Sequence, residues 1–111
     1  MIANAHTPTN SLGAVGVVGT GAASSILGGE VGGRFTLTTG TGVLTTGTIA
    51  TFTLAAAMPS STFSVIFQSV SGGISLNVAP ISSTQFTISN TGLLGLTAST
   101  TYVWNYVIIG Y

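Results

Sequence analysis

Charge is almost missing from this chain. Glu30 and Arg34 are its only fully charged side chains at neutral pH, 2 % of 111 residues, where soluble domains devote about a quarter to Asp, Glu, Lys and Arg. There is no Asp, no Lys and no Cys, and His6 is the one histidine. Each absence removes a class of chemistry. Without Cys, no disulfide supports the fold. The paired carboxylates of a glycosidase cannot be assembled from Glu30 alone. A nucleophilic triad needs a base and an orienting group beside its Ser or Thr, and His6 and Glu30 are the whole supply. No catalytic residue is expected. A protein-held metal takes three or four ligands, which one chain does not offer. Only three copies of His6 around a threefold axis would, and His6 reads instead as a solvated side chain. No metal and no cofactor are expected.

Partners are narrowed in the same way. Nucleic-acid binding rests on several Lys and Arg neutralising phosphates, and Arg34 stands alone. Apolar runs such as 54–58 and 107–109 fall far short of the roughly 18 residues of a helical membrane span. The glycine-rich stretch Gly16-Val17-Val18-Gly19-Thr20-Gly21 has neither the dinucleotide-binding order nor a lysine, and it reads as a turn-rich segment. Neither nucleic acid nor membrane is expected as a partner.

What remains is a neutral surface of Ser, Thr, Asn, Gln and backbone around an ordinary apolar fraction of 45 %. At 111 residues the chain suits one core. Near-zero net charge favours association over free solution. It also removes most pH linkage. Only His6 and Glu30 are side chains that ordinarily titrate between about pH 4 and 9. The melting temperature is therefore expected to stay flat over that window, and a collapse within it in a thermal-unfolding series would contradict this.

From Arg34 onward the sequence alternates. Phe35 and Leu37 oppose Thr36 and Thr38, and Ala50, Phe52 and Leu54 oppose Thr51 and Thr53. Phe63, Val65 and Phe67 form the next set, followed by Leu76 with Val78 and Phe86 with Ile88. A period of two in β-branched and aromatic residues marks half-buried strands. Gly40-Thr41-Gly42, Gly47, Pro59-Ser60-Ser61, Gly72-Gly73, Pro80 and Asn90-Thr91-Gly92 punctuate them. The expected fold is all-β, an antiparallel β-sandwich of about seven or eight strands. Residues 1–29 are rich in Gly, Ala, Ser and Asn. They read as an extended N-terminal arm with one short strand over 14–19, preceding a β-sandwich domain over 30–111. No helix beyond a single turn at 54–58 is expected. Residues 101–109 are apolar on both faces: Val103, Val107 and Ile109 on one, Tyr102, Trp104, Tyr106 and Ile108 on the other. Tyr and Trp favour a polar edge for their OH and NH, which points the aromatic face toward an interface.

Four stretches carry a resemblance. They are Gly33-Arg34-Phe35-Thr36-Leu37-Thr38-Thr39-Gly40-Thr41-Gly42, Ile49-Ala50-Thr51-Phe52, Thr84-Gln85-Phe86-Thr87-Ile88, and the ending Leu96-Thr97-Ala98-Ser99-Thr100-Thr101-Tyr102-Val103-Trp104-Asn105-Tyr106-Val107-Ile108-Ile109-Gly110. Across 19–110 the chain resembles a small β-sandwich domain of tailed-bacteriophage virion proteins, found in fibre tips and capsid surface proteins. The resemblance implies a structural and often trimeric virion role without catalysis. With no shaft sequence present, it implies a capsid decoration, or cement, protein on the outer capsid surface. The major capsid protein and other copies of the chain, as a homotrimer, would be its partners. The alternative is a tail-fibre tip or receptor-binding domain that recognises host glycan.

Candidate contact residues follow. In the arm they are Ile2, Leu12, Val15, Val17 and Ile26. Glu30 and Arg34, four apart, suit an inter-subunit ion pair or a plain surface pair. Tyr102, Trp104 and Tyr106 suit the trimer contact, and with Tyr111 they offer the alternative role of a sugar-stacking surface. The pairs Thr36/Thr38 and Thr51/Thr53 read as the polar faces of ordinary strands rather than as an ice-binding array.

Overall fold

The computed structural model describes residues 8–29, 32–54, 64–74, 76–90 and 95–109. Eight strands and one helical turn follow in chain order. They are β1 (Thr9–Leu12), α1 (Val15–Val18), β2 (Ala23–Gly28), β3 (Gly32–Thr38), β4 (Gly47–Thr53), β5 (Ser64–Ser71), β6 (Asn77–Pro80), β7 (Gln85–Asn90) and β8 (Thr101–Ile109). They form two four-stranded sheets with orders β1-β4-β7-β6 and β2-β3-β8-β5, and every pairing is antiparallel. The chain is an all-β sandwich.

The alternation places the core. Phe35 and Leu37 of β3, Phe52 of β4, Phe86 and Ile88 of β7 and Trp104 of β8 are wholly buried between the sheets. Burying one face of each sheet against the other is what makes two layers stable where one is not. The rings interlock. Phe52 stacks on Phe86 with centroids 5.0 Å apart and meets Phe35 edge-on at 5.1 Å. Phe67 meets Phe52 edge-on at 5.7 Å and stacks on Tyr106 at 5.7 Å. β4 carries a bulge between Thr48 and Ala50. Ile49 and Ala50 are both buried there, and the Ile49 carbonyl accepts from the Gly13 amide at 2.6 Å. An extra residue in one strand breaks the strict alternation and bends it.

Within the expected arm, β1 and β2 are extended, and both are paired into the sandwich. β1 pairs with β4, and β2 pairs with β3 from Ala23↔Thr38 to Gly28↔Gly33. The boundary expected at 29/30 falls inside the β2–β3 connection, where the Gly29 amide donates to the Gly32 carbonyl at 3.1 Å. An edge strand has one neighbour and buries little, so small residues such as Ala23, Ser24 and Ser25 suffice and leave a weak hydrophobic signature.

The short strand expected over 14–19 is instead α1. Val and Gly are poor helix formers, and tertiary contact decides. Val17 and Val18 enter the core. The Gly16 carbonyl accepts from the Thr45 amide at 2.8 Å and the Val18 carbonyl from the Gly40 amide at 2.9 Å. Gly19 (φ +97°) and Gly21 (φ +81°) then turn the chain into β2. The turn expected at 54–58 and the strand position of Phe63 lie mostly or wholly outside the described residues.

Buried polar groups are closed on themselves. Thr39, 3 % exposed, donates its hydroxyl to the Thr97 carbonyl at 2.6 Å and accepts from the Thr100 amide at 2.9 Å. This ties the end of β3 to the start of β8. Among the described residues no buried side-chain nitrogen or oxygen lacks a hydrogen-bond partner, as native interiors require.

Candidate interaction surface

The three aromatic residues expected at a subunit contact lie inside the sandwich. Tyr102, Trp104 and Tyr106 are 4 %, 0 % and 2 % exposed. Their polar tips find partners within the chain. The Tyr102 hydroxyl accepts from the Thr97 amide at 2.8 Å, Trp104 Nε1 donates to the Ile74 carbonyl at 2.7 Å, and the Tyr106 hydroxyl donates to the Gly29 carbonyl at 2.6 Å. The polar partners that these rings require are supplied by turn and loop carbonyls and an amide at the ends of the sandwich. The aromatic face of β8 is core.

That leaves the opposite face of β8 as the outer one. Val107 and Ile109 are 48 % and 43 % exposed. Register puts Ile66 of β5, 56 % exposed, directly beside Val107. Leu27 of β2 lies opposite Arg34 of β3, which lies opposite Asn105 of β8. The outer surface of the β2-β3-β8-β5 sheet thus carries Ile66 beside Val107 with Ile109 further along β8, and Leu27 separately beside the one cation. Arg34 is exposed and donates from Nε to Asn105 Oδ1 at 3.3 Å.

The other outer face has a different composition. Thr9 and Ser11 of β1, Thr51 and Thr53 of β4, and Gln85 and Thr87 of β7 follow one another across the ladder. Gln85 Nε2 donates to Thr53 Oγ1 at 3.1 Å. This face shows hydroxyls and amides throughout, whereas the first adds exposed aliphatics at one end to its own Ser25, Thr36, Thr38, Thr101 and Asn105, so water is more readily displaced from that end. A depression of about 180 Å³ lies at the β2–β3 side, lined by Ala23, Ser24, Ser25, Thr36 and Thr38. It is smaller than ordinary small-molecule pockets and has no charged or aromatic wall.

No known family, no curated protein and no solved structure matches the chain.

The remaining expected contact residues fall in three groups. Leu12 and Ile26 are half-buried and pack on the core from the edge strands, and Val17 is part of the core itself. Val15, 66 % exposed on α1, and Arg34 are available at the surface. Ile2, Glu30, His6 and Tyr111 lie outside the described residues. The exposed aliphatics Leu27, Ile66, Val107 and Ile109 were missed as candidates. The signal for two of them was present in the doubly apolar pattern of 101–109. Period two alone does not say which of the two apolar faces of that strand is outward.

Proposed function

We propose that the chain is a non-catalytic structural protein of a tailed-phage virion, seated on the outer capsid surface and bound by neutral surface contact. The observation that carries this reading is the asymmetry of the two outer faces on an almost uncharged body. One sheet presents hydroxyls and amides to solvent throughout, and the other adds Leu27, Ile66, Val107 and Ile109 to its outward Ser, Thr and Asn. Burying such aliphatics yields about 25 cal/mol per Å², partly offset by the ordering that docking requires. The major capsid protein and further copies of the chain are the partners of this reading, with contact made by shape rather than by ion pairs. The sequence resemblance supports the virion setting. The alternative is a glycan-reading fibre tip, which the resemblance equally allows, but three of the four aromatic residues of its sugar-stacking surface, Tyr102, Trp104 and Tyr106, are buried.

Image reconstruction of virions from the phage that encodes the chain tests this. Density for the sandwich at regular positions on the head is expected. Density confined to the tail, or none in the particle, overturns the reading.

A further inference from the structure

A β-sheet exposes its backbone donors and acceptors at both edges, and proteins blunt these edges with short strands, proline, charge or inward-facing polar groups. Two of the four edge strands, β6 and β1, are short. β6 has four residues and ends in Pro80. β1 also has four residues, and its Asn10 accepts from the Ser24 hydroxyl of β2 at 2.7 Å, joining the edges of the two sheets on that side. β5 differs. It has eight residues without proline or charge, and its one irregularity lies at the far end, between Ser69 and Ser71. Among the described residues no strand lies beyond it. Its inward side chains Val65 and Phe67 pack on the core yet stay half exposed, and its outward Ile66 is 56 % exposed.

We propose that β5 is the seat of a second copy of the chain, joined edge to edge and antiparallel about a twofold axis at Ile66. The stretch Ser64-Val65-Ile66-Phe67-Gln68 is self-complementary in polarity. With Ile66 facing Ile66 of the second copy, Val65 meets Phe67 and the outward Ser64 meets Gln68. All side chains keep their faces, as a continuous sheet requires. The two four-stranded sheets become one of eight. The half-exposed flanks of Val65 and Phe67 are covered. The row of Ile66 and Val107 is doubled across the axis. With no charge on either β5, nothing repels the approach. A closed, isologous pair results, in place of the homotrimer expected from the resemblance.

The inference rests on the proposed role only in taking self-association as part of it. Light scattering on the eluted full chain measures the mass directly. At about 100 µM, where mass action favours association, two chains per particle are expected. Ile66→Lys places a charge on the axis and should return the mass to one chain. Val43→Lys, at a loop residue 93 % exposed, should leave it at two. Amide exchange gives a readout that needs no variant. Protection across 65–68 should rise about tenfold between dilute and concentrated wild-type protein. A wild-type monomer or trimer, or a dimer indifferent to Ile66→Lys with no concentration-dependent protection of β5, overturns the pairing. A monomer that still decorates the head sinks the pairing and leaves the virion role. A β5-paired dimer absent from the virion does the reverse.

Discussion

Trp104→Ala should remove most of the stability of this chain. The side chain is wholly buried, stacks on Phe35 with centroids 5.8 Å apart and on Tyr102 at 5.8 Å, and donates Nε1–H to the Ile74 carbonyl at 2.7 Å. Truncating a buried aromatic costs about 3–5 kcal/mol through lost transfer energy and the cavity left behind. The orphaned Ile74 carbonyl adds to it unless water enters. Domains are stable by only about 5–15 kcal/mol in total. In urea, with a slope of about 1–3 kcal/mol per molar for a small domain, the midpoint should fall by about 2 M. Trp104→Phe keeps most of the ring packing and loses the N–H bond, and a loss of about 1–3 kcal/mol is expected. A midpoint unmoved in Trp104→Ala would mean that this ring is not at the centre of the core.

Gly40→Ala should be nearly as damaging, for a different reason. Gly19 and Gly40 pass backbone against backbone where α1 leads into β2. A Cβ on Gly40 would overlap the Thr20 carbonyl and sit 2.7 Å from the Gly19 carbonyl carbon. A Cβ on Gly19 would lie 2.6 Å from the Gly40 carbonyl carbon. Neither neighbour is the end of a flexible side chain, so the two segments must separate. The Thr20↔Thr41 bridge and the bond from the Gly40 amide to the Val18 carbonyl would be strained with them. Forced overpacking of this kind costs about 3 kcal/mol. Gly42→Ala separates overlap from backbone strain. Its φ is +113°, yet a Cβ there meets nothing within 4 Å, so only the conformational penalty of about 1 kcal/mol is expected. Equal urea midpoints for the two variants would show that the crossing is looser than the geometry states.

The crossing also marks the limit of what the sequence revealed. Strands β3, β4 and β7 announce themselves by alternation, because each sets a row of large apolar residues against Thr, Ser or Asn, and β8 by a long β-branched and aromatic run. β1 and β2 do not, because a strand with one neighbour needs little apolar surface. α1 is illegible for a stronger reason. Its four residues, Val-Gly-Val-Val, have low helix propensity. The turn exists because Val17 and Val18 fill space against the sandwich and because glycines at 19 and 40 allow the approach. Both are facts of tertiary contact that local pattern does not carry. The outer surface was half legible. Period two says that β8 has two apolar faces without saying which one meets the other sheet. The answer depends on Thr97, Ile74 and Gly29, whose backbone groups bind the three aromatic tips. None of these lies in the strand itself.

The hydrogen bond from Ser24 to Asn10 has a consequence for growth beyond a pair. A uniformly sticky sandwich would recruit neighbours at both ends of each sheet and polymerise into ribbons, the usual hazard of a neutral, threonine-rich β-protein. Here β1 and β2 are tied to each other by one side-chain bond, which holds the two sheet edges of that flank together. Under the proposed pairing, addition at β5 uses up the longest of the four margins, which favours a closed pair over a ribbon.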